Sequence, residues 1–103
     1  MVWDLRGALL KKEERESARL MDFEFRLRAR TFRLMAEKIG RTADRDRVVG
    51  MIAKMDDDAI LGELAKRFPE HAAKLPELYA EAGAEARKQL IAERGDPSPY
   101  RLL

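Results

Sequence analysis

The sequence predicts an all-α protein: a four-helix bundle with a long first helix whose N-terminal part projects as an arm. Three observations lead there. Ala, Leu, Glu, Lys and Arg dominate the 103 residues and all favour helix. Apolar residues recur at spacings of three and four, not two. Gly40, Asp56-Asp57-Asp58, Phe68-Pro69, Pro76 and Gly95 punctuate the chain into four helical segments.

The first helix is predicted over 4–39, ended by Gly40. Thr42 is placed as the N-cap of a second helix over 43–55, with Asp44 and Asp46 complementing its N-terminal dipole. Asp56, Asp57 and Asp58 end that segment and open a third helix over 57–68. Phe68-Pro69 closes it, because a residue before proline leaves the α region. A further helical turn is expected at 70–74. Pro76 suits the first position of a fourth helix over 76–94, and Gly95 its stop. The chain then divides into an N-terminal helical arm, residues 1–19, a bundle domain, residues 20–95, and a flexible tail, residues 96–103.

Two apolar stripes line the first helix at ~100° per residue. Leu20, Phe23, Leu27 and Leu34 form one; Met21, Phe25, Ala29, Phe32, Ala36 and Ile39 form the other, with Met35 between. A helix apolar over more than half its circumference is either central in a bundle or shared between its own domain and a second chain. Val48, Val49, Ile52 and Met55 are the expected inner face of the second helix. Ile60, Leu61, Leu64, Ala65 and Phe68 serve the third. Leu75, Leu78, Tyr79, Ala82, Ala86 and Leu90 serve the fourth, where Ala82, Gly83 and Ala86 would allow a close approach of a neighbouring backbone.

The arm reads differently. Residues 11–19, KKEERESAR, contain Ala18 as their only apolar residue, so nothing there can hold two helical turns against a core. Beyond them Val2, Trp3, Leu5, Leu9 and Leu10 bring apolar groups back at the N-terminal end. An apolar tip on a charged helical stalk is a candidate partner-binding element, comprising Trp3, Leu5, Leu9, Leu10, Lys11 and Lys12.

Composition excludes much chemistry. Zero cysteines rule out disulfides, cysteine-bound zinc and thiol catalysis. One histidine, His71, rules out a two-histidine metal site. Asp56-Asp57-Asp58 lacks the spacing of a calcium loop and reads as helix capping. No glycine-rich phosphate loop or nucleophile elbow occurs. The expectation is a non-enzyme with no catalytic residue, no cofactor and no metal. The longest apolar run, Val48–Ala53, is six residues long, against ~20 for a membrane span; a cytoplasmic protein without membrane insertion is expected.

Charge is nearly balanced, 21 basic against 19 acidic residues. The candidate basic face, Arg26, Arg28, Arg30 and Arg33, is shared with Asp22, Glu24 and Glu37, which argues against nucleic acid as the main ligand. Leu34 to Thr42 is similar to the start of a helix-turn-helix, but Asp46 occupies the position due for a buried aliphatic residue, so the motif is not expected.

The run from Trp3 to Gly40 resembles the alphaproteobacterial zeta subunits of the F-type ATP synthase. The resemblance is carried by the Trp3-Asp4 start, the charged arm and Leu34-Met35-Ala36-Glu37-Lys38-Ile39-Gly40. It continues through Asp57-Asp58-Ala59-Ile60 to Phe68 and through Glu77-Leu78-Tyr79-Ala80-Glu81-Ala82 to Glu93. The chain departs from that pattern in its Leu9-Leu10-Lys11-Lys12 and in residues 96–103. The resemblance implies a small four-helix regulatory protein that inhibits ATP hydrolysis by inserting residues 2–19 between catalytic subunits of the rotary head, with residues 20–94 as anchor. Its implied partner is that catalytic head. The alternative from the residues is a small helical protein that forms a weak homodimer or binds nucleic acid through the arginine face.

Overall fold

The computed structural model describes the backbone of residues 2–96 and the side chains of residues 18–96. Four helices and no strand occur among them: α1 (Val2–Lys38), α2 (Arg45–Met51), α3 (Asp57–Arg67) and α4 (Leu75–Arg94). Two 3-10 turns, Thr42–Asp44 and Pro69–Lys74, lead into α2 and α4. The molecule measures 63 × 27 × 21 Å along its principal axes.

Gly40 ends α1 as expected, at φ +75°. The Arg41 amide donates to the Ala36 carbonyl at 2.8 Å and the Gly40 amide to that of Glu37 at 3.0 Å, the paired bonds of a Schellman turn. The second helix differs from expectation. Thr42 is not its N-cap but the first residue of a 3-10 turn, and α2 proper spans only Arg45–Met51, not 43–55. After the Schellman turn the chain must reverse within a few residues, and the tighter 3-10 geometry takes it round. Asp56 caps α3, its Oδ1 accepting from the Ala59 amide at 2.8 Å, and Phe68 ends it before Pro69. α4 begins one residue early, at Leu75, with Pro76 in its first turn.

α1 is flanked by α4 on one side and by α2 on another. Ion pairs fix α4 antiparallel to α1: Lys38 with Glu85 at 3.2 Å and Arg30 with Glu93 at 2.6 Å. The core gathers Phe32, Met35 and Ile39 of α1 with its flanking turn, Val48 and Ile52, Ile60 and Leu64, Phe68, Leu75 and Ala82, all buried. Val49, Met55, Leu61, Ala65, Leu78 and Tyr79 are half-buried against it. The close backbone approach expected at Gly83 is not found: a Cβ there would meet only the Thr31 side chain, at 4.0 Å, and Thr31 is itself buried with its hydroxyl donating to the Leu27 carbonyl at 2.6 Å.

Candidate functional site

The arm candidates Trp3, Leu5, Leu9, Leu10, Lys11 and Lys12 lie on the helical backbone of α1; their side chains lie outside the described residues. What the structure does place is the surface that adjoins them. At ~100° per residue, Met21, Phe25, Phe32 and Ile39 fall within roughly 40° of one another around α1. Yet Phe32 is 0% exposed and Ile39 8%, while Phe25 is 51% and Met21 70% exposed. One stripe is thus core at its C-terminal end and open surface at its N-terminal end.

Arg28 stands where the stripe changes character. Its Nε donates to Asp57 Oδ1 at 2.6 Å, its Nη2 to the Met55 carbonyl at 2.7 Å and its Nη1 to the Ile52 carbonyl at 3.2 Å. One guanidinium therefore holds the whole α2–α3 connection, satisfying two carbonyls that this turn leaves without helical partners. The Tyr79 hydroxyl, from α4, donates to the other oxygen of Asp57. Burial, then the hydrogen bond and the negative charge of Asp57, push the Tyr79 phenol up to about 12, partly opposed by Arg28.

This arrangement corrects the arginine face. Arg28 does not share a surface with Arg26, Arg30 and Arg33, because two-residue steps along a helix turn a side chain to the other side. Those three line a cleft of about 560 Å3 with Val49 of α2 and Leu90, Glu93 and Arg94 of α4. Within it Arg30 is tied to Glu93 and, at 3.4 Å, to Gln89 Oε1, and Arg26 to Asp22 at 2.9 Å. Arg33 has no ion pair with a described residue.

The Arg28–Asp57–Tyr79 cluster escaped the sequence reading. Its signal was present: Arg28 falls in the apolar sector of α1, beside Met35 and Ile39, where an unpaired charge would be costly. Asp57 lies within a capping triplet in sequence, which by itself does not mark it as a partner of α1. No group of three or more His, Asp or Glu side chains suited to a metal ion occurs among the described residues. His71 stands 3.8 Å from Glu70. No described helix is long and apolar enough to cross a membrane. Comparison of the chain with protein-family models, curated proteins and solved structures gives no significant match.

Proposed function

We propose that this chain is a non-catalytic regulatory protein of the zeta-subunit kind, which inhibits ATP hydrolysis by inserting its N-terminal helical arm into the head of a rotary ATPase. In this reading the fold is a four-helix bundle from which the N-terminal part of α1 projects. The observation that carries it is the exposure of Met21 and Phe25, which leaves apolar surface on α1 directly after its charged stalk. Helix lengths support it. The 37 residues of α1 extend ~55 Å at ~1.5 Å each, and the 20 of α4 only ~30 Å. The C-terminal end of α4 lies beside Arg19, Asp22 and Phe23, so α4 runs out where the arm begins.

Affinity would come from the large apolar groups Trp3, Leu5, Leu9 and Leu10, with Lys11 and Lys12 chiefly affecting association rate. The test is ATP hydrolysis by the matching rotary ATPase with purified protein added. Inhibition is expected, relieved by Trp3→Ala with Leu9→Ala while the helical circular dichroism stays unchanged. Absence of inhibition at micromolar excess overturns the activity.

The cleft between Arg26, Arg30, Arg33 and Arg94 supports a second reading, nucleic-acid binding. Its mark would be binding that survives ~150 mM salt with a sequence preference; binding lost at that salt would leave the first reading in place.

A further inference from the structure

A second cavity lies at the other end of α1 from the arm. It encloses about 220 Å3 and is lined by Arg41 and Asp44 of the α1–α2 connection, Arg47, Val48 and Met51 of α2, and Arg67 and Phe68 at the end of α3. Its floor is apolar: Val48 and Phe68 are buried and Met51 is half-buried. Its rim carries three guanidinium groups and one carboxylate. That carboxylate, Asp44, is 3.8 Å from Arg41, a distant contact. Arg47 and Arg67 have no ion pair with any described residue.

These three arginines come from different elements. Arg41 follows the Schellman turn, with its amide bonded to Ala36, and its guanidinium lies over the Phe68 ring at 4.5 Å from the centroid. Arg67 occupies the last turn of α3, where the helix dipole favours a cation. Positive charge over a low-dielectric floor concentrates the local field. Arginine forks match carboxylates in paired hydrogen bonds. The volume is below the ~300–1,000 Å3 of sites that enclose whole small molecules, so it suits one side chain.

We propose that this cavity binds an acidic segment of a protein partner, seating one large apolar side chain on Val48, Met51 and Phe68 while flanking carboxylates pair with Arg41, Arg47 and Arg67. The site needs neither the arm nor a rotary ATPase, and it stands or falls separately from the activity proposed above.

The probe is a fluorescein-labelled peptide with one leucine between two pairs of glutamates, titrated into the full chain and followed by anisotropy and by backbone amide shifts. Binding is expected, with shifts centred on Val48, Met51 and Phe68. Replacing its glutamates by glutamines, or its leucine by alanine, is expected to weaken it, the former by ~tenfold or more. Arg47→Glu with Arg67→Glu, at unchanged circular dichroism, should remove binding, whereas Arg26→Glu with Arg33→Glu should leave it within about twofold, because that pair lies in the other cleft. The proposal is overturned by no binding at millimolar peptide, by equal binding of the glutamine peptide, or by binding that follows Arg26 and Arg33 in place of Arg47 and Arg67.

Discussion

Arg28 Nε lies 2.6 Å from Asp57 Oδ1, so a residue of the first helix fixes the start of the third. The same guanidinium reaches the carbonyls of Ile52 and Met55, and no other described side chain bonds these two carbonyls. Arg28→Ala would leave Asp57 without its cation and both carbonyls without a donor. A loss of about 2 kcal/mol is expected, on the order of 10 °C in the thermal midpoint for a domain of this size. Arg28→Lys should recover only part, since an ammonium cannot span three acceptors in one plane. A midpoint unchanged in Arg28→Ala would show that the connection is held by packing alone.

Tyr79 should make stability fall at high pH. Its phenol is raised from 10.0 to about 12 in the folded protein, so between those values the unfolded chain has lost a proton that the folded one keeps. The contribution is fully present below pH ~10 and declines as pH rises through the folded value. The phenolate absorbance of the Tyr100→Phe variant should therefore titrate near 12. Tyr79→Phe should flatten the alkaline loss of stability relative to the parent, and a Tyr79 that titrates at its ordinary value would contradict the burial and bonding described.

Glycine substitutions should split by position. A Cβ added at Gly83 meets only Thr31 Cγ2 at 4.0 Å, an ordinary contact. Gly83→Ala should therefore stabilise α4, by ~0.5–1 kcal/mol from helix propensity. Gly40→Ala should destabilise by ~1 kcal/mol or more, because its φ of +75° disfavours any side chain. Chemical denaturation of the two variants compares them directly.

Phenylalanines on one stripe should behave oppositely. Phe32, fully buried and with its ring centroid 5.7 Å from that of Tyr79, should cost about 3–5 kcal/mol when changed to Ala. Phe25→Ala, at a 51% exposed position, should stay within about 0.5 kcal/mol. A large loss at Phe25 in the isolated chain would mean that this surface is covered within the protein and is not free for a partner.

The helices, their stops and most of the core were legible in the residues. Gly40, Asp56, Phe68-Pro69 and Gly95 act through local backbone preferences that need no distant contact, and the 3-4 spacing of Phe32, Ile60, Leu64, Ala82 and Leu90 marks buried faces whatever they pack against. The second helix was overextended, because periodicity in Val48, Val49, Ile52 and Met55 persists through residues that the α2–α3 turn bends out of helix. Arg28 is near Arg26, Arg30 and Arg33 in sequence but not in space: it bonds Asp57 and two carbonyls on another side of α1.

The sequence by itself determined that this protein is helical and where its first, third and fourth helices stop; composition and short-range conformational preference suffice for those. Only the tertiary structure decided which charges are partnered and which apolar side chains remain exposed. Arg28 and Asp57 are 29 positions apart, and Phe25 and Phe32 share one stripe but not one fate. Both outcomes depend on where α2, α3 and α4 end against α1, and that is set by the packing of whole helices, not by any local preference in the chain.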